Sequence, residues 1–157
     1  MVIKNSLEVE GHNIEIINGS VSGSTSAGGL NIAEWTLSEN NIDLMILCLG
    51  ANDMLRGINP KETKNNLEEI IKIAKSKNIK VIIAGMIAPT SYGFEYKKSF
   101  DTIFSDLSKK YKLQLIPFLL EGVAQKPEFN LSDGMHPNDQ GTIIISNTLK
   151  KAILKNL

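Results

Sequence analysis

Short apolar runs alternate with amphipathic helical stretches along most of this chain, and this alternation restricts the fold more than any other feature. The run at 42–49 is continuously apolar, which is typical of a strand buried on both faces of a parallel sheet. Strands are predicted at 13–17, 42–49, 79–84 and 113–116. Strands that alternate with helices predict an α/β fold with a parallel sheet covered by helices on both faces.

The helices between the strands have clear sequence signals. Asn59 can cap a helix that begins at Pro60, and Glu62 completes a capping-box arrangement. The helical stripe that follows consists of Leu67, Ile70, Ile71 and Ala74. One further helix is predicted to end before Gly11, and a second has Leu30, Ala33 and Leu37 on one face. A third is predicted from Tyr96 to Tyr111. The last lies at the C-terminus and is predicted to bury Ile145, Leu149, Ala152 and Ile153.

Composition narrows the possible functions. The 157 residues predict one domain covering 1–157, and 17 basic against 17 acidic residues give no basic surface for nucleic acid. No apolar run is long enough for stable membrane insertion, and no secretory leader is visible, so the compartment stays open. Cys48 is the only cysteine and is predicted to be a buried, inert thiol.

Polar or glycine-rich loops follow the predicted strands, at 20–26, 50–53, 86–93 and 133–136. Ligands of parallel α/β sheets bind beyond the carboxyl ends of the strands. We therefore expect these loops to converge at one edge of the domain and to form a functional site.

The loop at 133–136 places Asp133 three residues before His136. Histidine can accept and return a proton near neutral pH, and a carboxylate on its second nitrogen fixes the tautomer. The pair is therefore a candidate acid–base dyad. The alternative is that Asp133 caps the last helix and His136 is an ordinary surface residue.

Two other loops carry candidate donors for an anionic oxygen. Gly23 could present its backbone N–H, and Asn52 its side-chain amide, with Asp53 holding the loop in shape. The alternatives are a strand–helix turn capped by Ser24 or Thr25, and turn chemistry at 50–53. A metal site is not expected, because His12 is the only other histidine.

Three motifs together resemble blocks II, III and V of the SGNH (GDSL) hydrolases: Ser-Gly-Ser-Thr at 22–25, Gly-Ala-Asn-Asp at 50–53 and Asp-Gly-Met-His-Pro-Asn at 133–138. The flanking sequences, such as Gly-Ala-Asn-Asp-Met-Leu-Arg-Gly at 50–57 and Ala-Pro-x-x-Tyr-Gly at 88–93, are similar to the arylesterase, thioesterase and lysophospholipase branch.

The resemblance implies a three-layer, flavodoxin-like α/β/α fold and hydrolysis of esters or thioesters through an acyl-enzyme, without a cofactor. It implies that His136 is the general base and acid, that Asp133 orients it, and that Gly23 and Asn52 form the oxyanion hole. Supporting roles are implied for Gly50 and Asp53, and a substrate-pocket role for Pro89 and Tyr92. Members of this family are often periplasmic or secreted.

The first block of the family, a Gly-Asp-Ser-Leu turn that carries the nucleophilic serine, does not occur in this sequence. We expect a truncated N-terminus lacking on the order of 30 residues, judged by the size of a βαβ unit. The missing first strand would lie centrally, between the strands at 13–17 and 42–49, so we expect a homo-oligomer, strand exchange or re-pairing to fill its place. Ser20, Ser22 and Ser24 are poor substitutes for the nucleophile, because nothing places them near His136. Two other functions stay open: a catalytically silent binding module, and direct activation of water by the dyad.

Overall fold

The computed structural model of the chain describes residues 2–38 and 41–157. It divides into two compact units, one made of Met1–Asn18 with Leu119–Leu157 and the other of Gly19–Phe118. The predicted single domain over 1–157 stays a prediction.

The unit Gly19–Phe118 contains a sheet of three parallel strands in the order β1-β2-β3. The strands are β1 (Leu44–Leu47), β2 (Lys80–Ala84) and β3 (Gln114–Ile116). The helices are α2 (Ser26–Thr36), α3 (Ala51–Leu55), α4 (Pro60–Ser76) and α5 (Phe94–Tyr111), with a short 3-10 helix at Thr90–Tyr92. The predicted α/β class with a parallel sheet is confirmed.

Helix α4 forms where its sequence signals predicted it. The Asn59 side chain accepts a hydrogen bond from Lys61 N–H at 3.0 Å, and Pro60 is the first helical residue. The predicted stripe is buried along its whole length and packs with the aromatic and aliphatic face of α5. That shared core contains Leu67, Ile70, Ile71, Ala74, Phe100, Ile103, Phe104 and Leu107.

The unit formed by the two ends of the chain contains α1 (Val2–Glu8), α6 (Asp139–Leu154) and a 3-10 helix at Pro127–Phe129. Helix α1 packs on α6, and the buried apolar residues of the unit are Ile3, Leu7, Leu119, Val123, Ala152 and Ile153. Ile145 and Leu149, which were predicted to be buried, are half-buried.

The predicted strand at 13–17 is wrong: these residues are described without regular secondary structure. A strand exists only through hydrogen bonds to a neighbour, and 13–17 takes part in no ladder of the described residues. For the same reason β1 is an edge strand, paired with β2 and with no other strand in the described ranges. The predicted re-pairing of 13–17 with the strand that follows is wrong, because 13–17 forms no ladder with β1. The predicted oligomer or strand exchange stays a prediction.

The prediction of a buried Cys48 is also wrong. Cys48 follows the last residue of β1 and is exposed, because no further strand of the described residues covers that side of β1. Its immediate surroundings still desolvate the sulfur enough to raise the pKa of the thiol above its ordinary value. A raised pKa leaves less thiolate at neutral pH, so Cys48 is a poor nucleophile.

None of the helices in the two described ranges is both long enough and apolar enough to cross a bilayer.

Candidate active site

The predicted site residues fall into two groups, one in each unit. Asp133 and His136 belong to the unit formed by the chain ends, and the predicted donors Gly23 and Asn52 belong to Gly19–Phe118. The structure brings together the members of each group. The predicted convergence of all the loops stays a prediction.

The Asp133 and His136 side chains are in direct contact. Asp133 Oδ2 lies 2.7 Å from His136 Nδ1. The other carboxylate oxygen, Oδ1, accepts the backbone N–H groups of Met135 at 2.9 Å and of His136 at 3.0 Å. The carboxylate therefore both shapes the turn and fixes the imidazole ring against it.

These hydrogen bonds stabilise the ionised form of the carboxyl group. The backbone N–H groups of His136 and Met135, followed by the His136 ring, lower the pKa of Asp133 from 3.8 to about 2. Asp133 is therefore negatively charged at neutral pH. Because Nδ1 is held by Asp133, Nε2 is the ring nitrogen left for proton exchange, and the His136 side chain is 71% exposed.

The turn that carries this dyad is closed by its own backbone. Leu131 N–H donates to His136 O at 2.7 Å, and Asn138 N–H donates to Phe129 O at 3.0 Å. The side chain of Asn138 accepts Gly141 N–H at 3.0 Å and is the N-cap of α6. The alternative in which Asp133 caps the last helix is therefore wrong, because Asn138 does so.

Asn130 and Asn138 anchor the same turn to the preceding loop. The buried Asn130 amide donates to Val123 O at 2.8 Å and to Lys126 O at 2.7 Å. The Asn138 amide donates to Glu128 O at 2.9 Å. The Asn130 bonds add to the backbone bonds that Val123 O and Lys126 O already accept from Lys126 N–H and Phe129 N–H. The two amides thus cross-link a segment with little regular structure.

In the other unit, Asn52 lies in α3 and reaches the loop before α2. Its side-chain amide donates to Ser24 O at 3.0 Å. A primary amide carries two N–H bonds, so one remains for another acceptor. Gly23 in the same loop has φ +73° and is exposed, and its N–H has no acceptor within the described residues. Each of the two residues thus keeps a donor that a ligand could use.

Asp53 connects the start of α2 to α3 and α4. It is fully buried and accepts Ser26 N–H at 2.7 Å and Thr63 Oγ1–H at 3.2 Å, and the Ser26 hydroxyl also donates to it. The Asn66 amide donates to Ser26 Oγ at 3.0 Å. A buried carboxylate is tolerated when its oxygens are bonded in this way. Asp53 therefore fixes the loop next to Gly23.

Gly50 ends the connection from β1 and precedes α3, with φ +111°. A β-carbon there would lie 3.3 Å from Phe104 Cζ and 3.6 Å from Thr63 Cγ2. Both the positive φ and this close packing favour glycine. Gly50 thus lets the chain turn sharply from β1 into the helix that carries Asn52.

The loop after β2 is held by charged side chains of α5. Ala88 N–H donates to Asp101 at 2.8 Å, and Lys97 donates both to Ala88 O at 2.7 Å and to Asp101 at 2.6 Å. Pro89 is exposed, and the half-buried Tyr92 ring stacks on Tyr96 with centroids 5.4 Å apart. The predicted role of Pro89 and Tyr92 as pocket walls stays a prediction.

The alternative of a capped turn before α2 is correct for Thr25, whose hydroxyl accepts Gly28 N–H at 3.3 Å. A capping role does not conflict with a donor role for Gly23, because different groups are used.

Sequence reasoning gave no role to Arg56, Ser26, Thr63 or Asn66, and all four contact this loop or its anchor. Ser26, Thr63 and Asn66 are ordinary residue types in ordinary helices and carry no local signal. Arg56 does carry one, since it is the only arginine among the 17 basic residues.

The motifs, the parallel sheet and the Asp–His turn together define a class of enzyme. A model of the GDSL-like Lipase/Acylhydrolase family matches residues 3–142. The chain belongs to this family, and the resemblance to SGNH (GDSL) hydrolases is confirmed.

Individual relatives agree with this assignment. The chain is 34% identical to an arylesterase of Vibrio mimicus over 156 residues, which cover 99% of this chain and 78% of that protein. It is 32% identical to thioesterase 1/protease 1/lysophospholipase L1 of Escherichia coli (strain K12) over 138 residues, 88% of this chain and 66% of that protein. The crystal structure of TesA matches with a TM-score of 0.93 and 31% identity, over 99% of this chain and 87% of the other.

Proposed function

We propose that this chain supplies the acid–base dyad and the oxyanion donors for hydrolysis of small acyl esters or thioesters. The observation that carries the proposal is the Asp133–His136 pair, with Oδ2 and Nδ1 2.7 Å apart. An ionised carboxylate on Nδ1 leaves Nε2 as the position for proton transfer. The names of the relatives, an arylesterase and a thioesterase/lysophospholipase, support the substrate class.

In the proposed reaction, His136 Nε2 removes the proton of a serine hydroxyl while the hydroxyl oxygen attacks the carbonyl carbon of the substrate. Asp133 stabilises the imidazolium that forms. Nε2 then returns the proton to the leaving alcohol or thiol, and the acyl-enzyme remains. Water repeats the sequence in deacylation, with His136 again as base and then as acid.

The negative charge that develops on the carbonyl oxygen needs fixed donors. We assign this role to Gly23 N–H and the Asn52 side chain. Support for the assignment comes from the Asn52 amide, which is oriented by its 3.0 Å bond to Ser24 O, and from Gly23, an exposed residue whose N–H has no acceptor within the described residues. Gly50 and Asp53 support these donors through the turn into α3 and the buried network at Ser26.

The nucleophile is the element that the printed residues do not supply, because they contain no Gly-Asp-Ser-Leu block. The proposal assigns the attacking serine to such a block and not to Ser20, Ser22 or Ser24. The same observation favours a second candidate function, a catalytically silent module that binds acyl ligands. Direct activation of water by His136 is the third possibility.

Two forms of the chain separate these functions. The first is the chain as printed, and the second carries an added N-terminal segment with a Gly-Asp-Ser-Leu block. Hydrolysis of p-nitrophenyl butyrate and of a short acyl thioester is measured for both, together with labelling by a serine-directed fluorophosphonate. We expect labelling and rapid hydrolysis only in the extended form.

The matched controls are His136→Ala and a serine-to-alanine change in the added block. Each should abolish most of the hydrolysis by the extended form. Activity that persists in His136→Ala refutes the mechanism. A folded extended form that binds short-chain fatty acids without hydrolysing any ester supports the binding module. His136-dependent hydrolysis by the chain as printed, without labelling, supports activation of water.

A further inference from the structure

Arg56 stands out because it is the only arginine of the chain; the other 16 basic residues are lysines. It follows α3 directly, and one guanidinium nitrogen donates to Gly23 O at 2.9 Å. No carboxylate within the described residues forms an ion pair with it. A guanidinium has five N–H donors in a rigid plane, so it can hold a carbonyl oxygen in one direction better than a lysine ammonium can.

The bond from Arg56 acts on a peptide unit that is also held at its other end. Gly23 O and Ser24 N–H belong to the same planar peptide, and Ser24 N–H donates to Val21 O at 3.1 Å. The next carbonyl, Ser24 O, accepts from Asn52. The plane of the Gly23–Ser24 peptide is thus fixed by one local bond and by one bond from Arg56.

The neighbouring Gly23 N–H has no such restraint of its own. Glycine at φ +73° can rotate more freely than any other residue. Gly23 N–H lies in the preceding Ser22–Gly23 peptide plane, and the φ and ψ torsions of Gly23 join that plane to the Gly23–Ser24 peptide. Anchoring the Gly23–Ser24 peptide therefore places Gly23 Cα and removes one source of movement of the N–H. Without the Arg56 bond, the Gly23–Ser24 peptide keeps only the turn bond to Val21.

We propose that Arg56 is a positioning residue that fixes the Gly23–Ser24 peptide and thereby limits the movement of Gly23 N–H, which lies in the adjoining peptide plane. The proposal rests on the proposed function insofar as Gly23 N–H is an oxyanion donor there. Arg56 contacts the loop and not the reacting atoms. Together with Asn52 and Asp53 it gives α3 and its end three side chains that hold the loop at 23–26.

The test measures amide hydrogen exchange by NMR in the chain without any added segment. In Arg56→Ala we expect the Ser24 amide to exchange about fivefold to tenfold faster, because a hydrogen bond from a charged donor is lost. The amide of Ile71 in α4 serves as the internal reference and should be unchanged. Lys61→Ala removes an exposed positive charge at the start of α4 and should leave Ser24 exchange unchanged.

Rescue distinguishes positioning from a general loss of stability. Guanidinium chloride, well below denaturing concentrations, should slow exchange at Ser24 in Arg56→Ala, whereas an equal concentration of ammonium chloride should not. Arg56→Lys keeps the positive charge and replaces the alanine variant if that variant does not fold. Its Ser24 amide should also exchange faster than in wild type. Equal Ser24 exchange in wild type, Arg56→Ala and Arg56→Lys overturns the proposal, as does faster exchange at Ile71 to the same extent.

Steady-state kinetics distinguish a failure of the positioning role of Arg56 from a failure of the proposed function. In the extended form, which carries the added Gly-Asp-Ser-Leu block, Arg56→Ala should lower kcat about tenfold with KM little changed, as expected for a misaligned donor. Guanidinium should restore part of the loss. If the extended form with Arg56 intact hydrolyses nothing, the proposed function fails, and the exchange experiment still decides whether Arg56 positions the loop. A larger effect on KM than on kcat overturns positioning and assigns Arg56 to substrate binding.

Discussion

Replacement of Asp53 by asparagine tests how strongly the buried network holds the loop at 23–26. Asp53 is fully buried, and its two oxygens accept Ser26 N–H, the Ser26 hydroxyl and the Thr63 hydroxyl. Asparagine keeps one acceptor oxygen and places an NH₂ group where the second was. At least one charge-assisted hydrogen bond is lost, and a donor then faces a donor in a site closed to water.

The expected loss of stability follows from these two effects. A hydrogen bond to a charged group contributes about 1.5–3 kcal/mol, and a buried unpaired donor costs about 1–3 kcal/mol. Removal of the buried charge offsets part of this through desolvation. We therefore expect Asp53→Asn to lower the free energy of unfolding by about 2–4 kcal/mol, a large part of the roughly 5–15 kcal/mol of a typical domain.

Urea unfolding measures the change. Circular dichroism reports on all the helices. The matched control is Asp106→Asn, because Asp106 forms an ion pair with Lys64 at 2.7 Å but its side chain is 46% exposed. Asp106→Asn should lower the free energy of unfolding by less than about 1 kcal/mol.

A double-mutant cycle with Ser26→Ala separates the network from a general effect. The two changes remove the same contact, so their combined cost should be less than the sum of the single costs by about 1 kcal/mol or more. If Asp53→Asn and Asp106→Asn cost the same, the buried network does not hold the loop as argued. Strict additivity with Ser26→Ala also refutes the reasoning.

Three further predictions concern the rest of the site. Because the pKa of Asp133 is lowered to about 2, the stability that its ionised carboxylate gives to the turn should be complete above about pH 4 and lost as pH falls through about 2. The chemical shift of the Met135 amide measures this by NMR, and a loss that begins above pH 4 contradicts the prediction. In the extended form, Asn52→Ala should lower kcat about 10²–10³-fold in steady-state assays, and an unchanged kcat removes Asn52 from the oxyanion hole. Gly141→Ala should lower the free energy of unfolding in urea by about 1–3 kcal/mol, because the new β-carbon would lie 2.2 Å from Phe129 O. Helix propensity alone predicts that alanine is stabilising, so a more stable variant contradicts the packing argument.

The parts of the fold that were predicted correctly depend on local signals. Helix α4 has its cap, its first-turn proline and its apolar stripe within one stretch of sequence, and each is found as predicted. The predicted strand at 13–17 failed because a strand depends on a neighbour, and no described strand pairs with it. Cys48 was placed wrongly for the same reason, since its burial depended on a further strand beside β1.

The candidate site shows the same division. Asp133 and His136 are three residues apart, so the sequence alone predicted their contact. Asp53 and Ser26 are 27 residues apart, and nothing in either local sequence indicates that they meet. The Arg56 bond to Gly23 spans 33 residues and was equally invisible, although the rarity of arginine in this chain was a usable signal.

This division has a consequence for how the two groups respond to distant changes. The dyad turn is held by bonds within 123–141, whereas the donor loop is held by side chains from α3 and α4. A cavity in the core of Gly19–Phe118, such as Leu67→Ala, would loosen α4, which supplies Thr63 and Asn66 to the network around Ser26. We therefore expect Leu67→Ala to speed amide exchange at Ser24 and Ser26 by far more than at Met135. Equal effects at the three amides would mean that the turn at 133–136 also depends on that core, and the distinction between a locally held dyad and a remotely held donor loop would be wrong.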